Sequence, residues 1–210
     1  MSRFLFLYAL LLVTIISCRS RQRYVFTGDG KHLLAIQPFI GADPQVIAEL
    51  KSGLTRVLNA EVIVLPVCTL PRSAFNPARN RYYADSLLDF LKGRGQISYE
   101  KIIGITVTDI STSTEESADW GIMGLAKRPG TVCVLSTYRV KKTIRNKEHF
   151  FQRMLVLALH ELGHTYSLPH CSKAVCLMKD AEGKMNLDDG KDFCGDCSAV
   201  LNAGKILIQY

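Results

Sequence analysis

The stretch HELGHTYSLPHC, residues 160–171, constrains the fold more than any other part of the chain. His160 and His164 are four residues apart, so a helix would place both imidazoles on one face. His170 follows six residues later, where a turn could bring a third imidazole to the same point. Three protein ligands leave a fourth position open for water, which is typical of a catalytic zinc site. Glu161 lies between the histidines, where it could take a proton from that water.

Four cysteines follow the third histidine in two close pairs. Cys171 and Cys176 form a C-x4-C pair, and Cys194 and Cys197 form a C-x2-C pair. Four thiols suit a tetrahedral zinc coordinated by protein alone, so the sequence predicts a second, structural zinc. An oxidising compartment would instead allow disulfides. We prefer zinc because the thiols directly adjoin the histidine cluster.

The combined pattern, HExxHxx(G)xxHC-x4-C-x-M followed by C-x2-C, resembles the archaemetzincins, a family of metzincin zinc metallopeptidases. The resemblance implies these roles: catalytic zinc ligands His160, His164 and His170; general base Glu161; structural zinc ligands Cys171, Cys176, Cys194 and Cys197; and turn methionine Met178, beneath the site. It therefore implies two zinc ions per chain, one catalytic and one structural. The implied substrate is a peptide or protein, and nothing separates an endopeptidase from an aminopeptidase.

One position departs from the family pattern. Ser167 stands where the family has a glycine that ends the helix in a left-handed conformation. Serine can adopt that conformation at a cost of about 1 kcal/mol, which metal ligation could offset. The departure changes no predicted ligand.

The first seventeen residues resemble a lipoprotein signal peptide. Arg3 precedes a mainly apolar run over residues 4–16, which is too short to span a bilayer comfortably. The run ends in Ile-Ile-Ser-Cys, which resembles a bacterial lipobox and implies cleavage before Cys18 and acylation of its sulfur. We therefore expect a membrane-anchored lipoprotein of a bacterial cell envelope, on its periplasmic or cell-surface side. The alternative is an ordinary cleaved signal, or an uncleaved anchor, with an incidental cysteine.

The composition is basic without indicating a nucleic-acid partner. The net charge of +7 becomes +6 after removal of the signal, since only Arg3 is lost. The basic residues are scattered, and no aromatic-interleaved basic cluster stands out. The division expected is a signal peptide over 1–17, a tether over 18–30 and one zinc peptidase domain over 31–210. The sequence gives no indication of oligomeric state.

Hydrophobic periodicity predicts a compact single α/β (α+β) domain, with a mixed twisted sheet and an edge hairpin turning at residues 128–130. Strands are predicted over 33–40, 61–68, 101–108, 122–125 and 131–137, and helices over 44–59, 80–92, 147–166 and 199–208. Asp43 is the predicted N-cap of the first helix. The metzincin resemblance implies that the stretch from Trp120 to Ala126 binds extended substrate by strand addition, although an ordinary core hairpin is the alternative.

Several residues outside the zinc pattern also have predicted locations or roles. Cys68 and Cys133 lie in apolar runs and are expected to be buried free thiols, unless the strands bring them close enough for a disulfide. His32 and His149 have no visible partners, so we expect them at the surface. Tyr138 and Tyr166 are candidates for stabilising an oxyanion by residue type alone.

Two functions are compatible with these residues. The first is zinc-dependent peptide-bond hydrolysis, with the zinc-bound water activated by Glu161. The second is a non-catalytic zinc-binding lipoprotein that acts as a partner-binding or metal-buffering module. Glu161 favours the first, because a purely structural site needs no base between its ligands.

Overall fold

A computed structural model describes residues 25–95, 99–180 and 187–207 of the 210-residue chain. The predicted signal peptide and Cys18 lie outside the described residues. In chain order, the strands are β1 (His32–Pro38), β2 (Ala60–Val64), β3 (Phe75–Asn76), β4 (Arg81–Tyr83), β5 (Lys101–Thr106), β6 (Ile110–Thr112), β7 (Trp120–Ile122), β8 (Gly124–Ala126) and β9 (Val132–Ser136). The helices are α1 (Pro44–Val57), α2 (Ala84–Gly95), α3 (Thr137–Val140), α4 (Lys147–Thr165) and α5 (Gly195–Ala203).

The main sheet has five strands in the order β2-β1-β5-β9-β8. The first four run parallel, and β8 pairs antiparallel with β9 at the edge. Every residue of β5 is buried, as expected of a parallel strand covered on both faces. Helices α1 and α4 pack on one face around Leu34 and Ile36, and α2 packs on the other around Ala35. The predicted mixed α/β domain with an edge hairpin is therefore confirmed.

A second, smaller sheet was not predicted from the sequence. Its order is β3-β4-β6-β7, and none of its strands exceeds three residues. Tyr82 and Tyr83 pair with Ile110 and Ser111, so the residues before α2 are extended rather than helical. The prediction that this helix begins near residue 80 was wrong for that reason. The closing helix also begins earlier than predicted, at Gly195.

Helix α4 begins and ends close to the predicted residues. The Asn146 side chain caps its start by accepting a hydrogen bond from the His149 backbone N–H. At its end, Ser167 has a φ of 78°, and Leu168 N–H donates to Gly163 O. This left-handed turn reverses the chain immediately after the second predicted zinc ligand. Among the described residues, no helix is both long enough and apolar enough to cross a membrane.

A buried carboxylate connects the beginning and the end of the described chain. Glu100 is fully buried and accepts hydrogen bonds from Val25 N–H and the Tyr166 hydroxyl. His32 places Nδ1 2.8 Å from this carboxylate and Nε2 3.0 Å from Gly204 O. The expectation that His32 is a surface residue was wrong, because its partner lies 68 residues away in sequence.

His149 is also buried rather than exposed. Its Nε2 lies 2.7 Å from the Asp188 carboxylate, which Arg153 also binds through two guanidinium nitrogens. The Arg153 guanidinium, together with the hydrogen bond from His149, holds the pKa of Asp188 far below its usual range. The contacts of Asp188 with His149 and Arg153 attach the segment before α5 to the first half of α4.

Candidate active site

Three histidine side chains converge where α4 ends and the chain turns back. His160 and His164 lie on one face of α4, with their Nε2 atoms 3.1 Å apart. The turn at Ser167 brings His170 to the same point, and one ring nitrogen from each histidine lies within 4.8 Å of the others. Tetrahedral zinc with bonds of about 2.1 Å separates its nitrogen ligands by about 3.4 Å, so the spacing suits this ion.

The hydrogen bonds of the imidazoles show which nitrogens are available to a metal. His160 Nδ1 donates to Leu177 O at 2.9 Å, and His164 Nδ1 donates to Leu168 O at 2.8 Å. Because a carbonyl only accepts, the proton of each neutral ring is on Nδ1 and the Nε2 lone pairs face each other. Burial lowers the pKa of His160, and it lowers that of His164 to about 4. Two converging lone pairs on neutral rings fit a cation between them.

His170 reaches the cluster from outside the helix and has a different partner. Its Nδ1 lies 3.1 Å from Asp180 Oδ2, and both side chains are about half exposed. A carboxylate on Nδ1 leaves Nε2 as the ligating nitrogen, as in the other two rings. Asp180 was not identified from the sequence, because neither its spacing nor its residue type distinguishes it from other surface acids.

Glu161 is buried in the same cleft as the histidines. It is 6% exposed, and burial raises its pKa to about 8. A cation on the adjacent histidines would favour the ionised carboxylate. Strand β8 crosses directly over this side chain: a Cβ on Gly124 would lie 2.7 Å from Glu161 Oε1. Glycine is therefore required at 124 for the edge strand to approach the predicted base.

Met178 lies under the helix that carries the histidines. It is fully buried, and its Sδ would be 2.5 Å from a Cβ on Gly163. The glycine between the two α4 histidines thus makes room for the thioether. This is the location that the resemblance implies for the turn methionine.

The four predicted thiol ligands also come together. The Sγ atoms of Cys171 and Cys194 are 3.8 Å apart, and those of Cys176 and Cys197 are 3.7 Å apart. One sulfur from each cysteine lies within 4.8 Å of the others. Zinc–sulfur bonds of about 2.3 Å in a tetrahedron separate sulfurs by about 3.8 Å, whereas a disulfide needs about 2.05 Å. All four cysteines are free, and their spacing suits a metal.

A cleft of about 880 Å³ contains the histidines and Glu161. Strand β8 forms one side, and its outer edge pairs with no other strand of the described residues. The stretch from Trp120 to Ala126 is divided between the sheets, because β7 pairs with β6 and only Gly124–Ala126 borders the main sheet. An extended peptide could add to this edge beside the predicted base.

Other candidates from the sequence lie elsewhere. The Tyr166 hydroxyl is buried and donates to Glu100, so it does not face the cleft. Tyr138 is 46% exposed and lies under the Lys142 ammonium. Cys68 and Cys133 are free thiols, with Cys133 fully buried in β9 and Cys68 only partly buried.

Comparison with known proteins identifies the same architecture. The sequence pattern of Peptidase family M54 matches residues 44–203. The archaemetzincin of Haloquadratum walsbyi is 29% identical over 177 residues, which cover 80% of this chain and 99% of the relative. The crystal structure of archaemetzincin from Archaeoglobus fulgidus, complexed with malonate, has a TM-score of 0.69 at 28% identity. The match covers 80% of this chain and 99% of the Archaeoglobus fulgidus chain. The crystal structure of archaemetzincin from Methanopyrus kandleri also has a TM-score of 0.69, at 26% identity. The match covers 81% of this chain and 93% of that chain.

Fold and site together define the class of protein, a zinc metallopeptidase. Within that class, the chain belongs to Peptidase family M54, the family of the archaemetzincins. The resemblance inferred from the histidine and cysteine pattern is thereby confirmed.

Proposed function

We propose that the chain hydrolyses peptide bonds in the cleft beside strand β8. The catalytic zinc would be held by His160, His164 and His170, and Glu161 would act as general base. The observation that carries this proposal is that the Nε2 atoms of His160 and His164 lie 3.1 Å apart, beside the buried Glu161 carboxylate. Zinc in such a site lowers the pKa of a bound water and polarises the substrate carbonyl.

The residues of this chain would divide the remaining tasks. The edge of β8 binds the substrate backbone and holds the scissile bond in the cleft. Glu161 accepts a proton from the attacking water and later donates it to the departing amine. Leu168 and Leu177 hold the protons on the Nδ1 atoms of two ligands through their carbonyls. Burial of Glu161 keeps competing bulk water away from its carboxylate.

The decisive test is Glu161→Gln, which keeps the shape of the side chain but removes the base. We expect peptide cleavage to fall by about 10²- to 10⁴-fold while the zinc content stays unchanged. Glu148→Gln, an exposed position in the first turn of the same helix, is the matched control. Cleavage of a mixed peptide library, followed by mass spectrometry, is the measurement.

The outcome also decides between the two functions. Equal cleavage by wild type and Glu161→Gln would refute the assigned role of Glu161. Absence of cleavage by both, with zinc bound, would favour the partner-binding or metal-buffering module. Comparing free and acetylated amino termini in the library separates an aminopeptidase from an endopeptidase.

We further propose a second, structural zinc at Cys171, Cys176, Cys194 and Cys197. The sulfur–sulfur distances of 3.7 and 3.8 Å support it. Elemental analysis of protein purified without chelator should give two zinc ions per chain, and one after Cys194→Ala/Cys197→Ala. A single ion in the wild type would contradict this count.

Export and anchoring through acylated Cys18 are also proposed, with a signal over residues 1–17, a tether over 18–30 and the peptidase domain over 31–210. The tether meets the domain at Val25, whose backbone N–H donates to Glu100. The lipobox-like Ile-Ile-Ser-Cys sequence supports this assignment.

A further inference from the structure

The segment over residues 171–180 contacts both metal-binding clusters. Its Leu177 carbonyl accepts the hydrogen bond from His160 Nδ1 at 2.9 Å. Its Asp180 carboxylate lies 3.1 Å from Nδ1 of His170. Two of the three groups that orient the histidine cluster therefore come from one short segment. The ligand His170 immediately precedes that segment in the chain.

The same segment contributes half of the four-cysteine cluster. Cys171 and Cys176 lie within it, and their sulfurs face Cys194 and Cys197 at the start of α5. Leu177, which orients His160, is adjacent to Cys176 in the chain. A displacement of Cys176 therefore moves the carbonyl that orients His160, and a metal shared with Cys194 and Cys197 would link Cys176 to the start of α5.

Little regular structure holds the segment in place. Residues 171–180, all of them described, form turns and single bridges rather than helix or extended strand. Cys171 N–H donates to Met178 O at 2.8 Å, and Leu177 N–H donates to Asp192 O at 2.9 Å. Single bridges pair Cys171 with Lys179 and Cys176 with Asp192. Such short segments have a low free energy of local opening unless a further link restrains them.

We propose that metal in the four-cysteine cluster sets the metal affinity of the histidine cluster, so that the two sites load cooperatively. The proposal rests on the function proposed above. A metal bound to the thiols fixes the segment, which then presents the Leu177 carbonyl and the Asp180 carboxylate to their imidazoles. Groups of this kind change metal affinity by about 10- to 100-fold. Because coupling is reciprocal, metal on the histidines strengthens binding at the thiols by the same factor.

The first test removes the thiol cluster without touching the histidines. The zinc affinity of the histidine cluster is measured by competition with a coloured chelator under reducing conditions. In Cys194→Ala/Cys197→Ala we expect it to be about 10- to 100-fold weaker than in wild type with filled thiols. Cys68→Ala is the control. Cys68 packs against the hydrophobic cluster under α2, on the other face of the main sheet, so its substitution should leave both affinities unchanged.

The second test keeps the thiols and removes one orienting group. Asp180→Ala should weaken zinc binding at the histidine cluster by at least tenfold while the thiol cluster stays filled. Asp180→Asn retains an oxygen that can accept from His170 Nδ1, so it should restore part of the affinity. If the cysteine variant does not fold, this arm still tests whether the segment orients the histidine cluster, and the reciprocal test on the histidine variants decides the coupling.

The third test uses reciprocity. His160→Ala/His164→Ala should weaken zinc binding at the thiols by the factor measured in the first test. Equal affinities at the histidine cluster with the thiols filled and absent, or no effect of Asp180→Ala, would overturn the coupling. Failure of wild-type histidines to bind zinc at all would instead refute the proposed function, so the two failures are distinguishable.

Discussion

Ser167 adopts a backbone conformation that serine rarely adopts. Its φ of 78° lies in the left-handed region, which costs a residue with a Cβ about 1–2 kcal/mol. The conformation is imposed by the turn that returns the chain from His164 to His170. The sequence alone predicted this conformation, because Ser167 occupies the position of the family glycine.

Ser167→Gly should therefore stabilise the protein. We expect a gain of about 1 kcal/mol in the free energy of unfolding, which raises the melting temperature by about 2–4 °C in a chain of this size. Thermal unfolding followed by circular dichroism is the measurement. Ser52→Gly, at an exposed position inside α1, should have the opposite sign. A loss of stability at position 167 would show that the serine side chain contributes more than the backbone costs.

Gly124→Ala addresses the contact between the edge strand and the base. The added Cβ would lie 2.7 Å from Glu161 Oε1, so either the carboxylate or the strand must move. A displacement of about 1 Å at a reacting group costs about 10²-fold in rate, and we expect a loss of that order in kcat. Zinc content should stay unchanged.

Gly93→Ala is the appropriate control for this substitution, because a Cβ at position 93 would meet nothing within 4 Å. Peptide cleavage by the two variants is compared at equal zinc content. Wild-type kcat in Gly124→Ala would contradict the close contact.

At the scale of elements, the end of α4 is held by buried polar groups. The Lys101 ammonium donates to Gly130 O at 2.8 Å and Thr165 O at 3.2 Å, and it lies over the Tyr166 ring. Next to it, Glu100 accepts from the Tyr166 hydroxyl. These contacts attach the C-terminus of the histidine-bearing helix to the start of β5. Removing these contacts should therefore lower the free energy of unfolding more than it changes the rate of peptide cleavage.

Lys101 gives stability a specific dependence on pH. Burial lowers its pKa from 10.5 to about 8 in the folded state. Between these pH values the unfolded chain binds more protons, so the free energy of unfolding rises with pH, by up to about 3 kcal/mol. The neutral amine still has two N–H groups for its two carbonyls.

The measurement is urea unfolding of wild type and Lys101→Met from pH 7 to 10.5. The stability of wild type minus that of Lys101→Met should increase across this range, because the variant lacks the titrating group. Lys51→Met, at an exposed position in α1, should give a constant difference. A constant difference for Lys101→Met would exclude a lowered pKa.

Glu100→Gln tests the buried network itself. The Glu100 carboxylate is bound by Val25 N–H, His32 and the Tyr166 hydroxyl, whereas the amide nitrogen of glutamine cannot accept a hydrogen bond. A buried donor left without its acceptor costs about 1–3 kcal/mol, and more where a charged group is involved. We expect a loss of about 3 kcal/mol in the free energy of unfolding, measured by urea denaturation. Glu61→Gln, at an exposed position in β2, should change it by no more than about 0.5 kcal/mol. Unchanged stability in Glu100→Gln would mean that the carboxylate has little net effect.

At the scale of the whole molecule, the predictions from sequence succeeded where contacts are local. His160 and His164 are brought together by one helical turn, and the reversal of the chain at Ser167 brings His170 to them. The contact of Gly124 with Glu161 was not predicted, because it depends on how the sheet edge lies across α4. His32 was misplaced for the same reason, since its partner Glu100 belongs to a different strand region. Short-range spacing therefore identifies the predicted ligands, whereas the partners that orient them, such as Asp180, are found only from the tertiary structure.

The proposed lipid anchor makes a prediction about the whole chain. Wild-type protein should fractionate with membranes and carry the added mass of acyl groups. Cys18→Ala should lose both properties, because the sulfur that accepts the lipid is absent. Cys68→Ala should behave as wild type. Recovery of wild type and Cys18→Ala in the same soluble fraction would contradict anchoring through Cys18.

The hydrogen bond from Val25 to Glu100 also determines how far the enzyme could operate from a lipid surface. Cys18 precedes Val25 by only seven residues, and seven residues span at most about 25 Å. An acylated Cys18 would thus hold the domain close to the membrane, and cleavage would be restricted to polypeptides that come within a few nanometres of the headgroups.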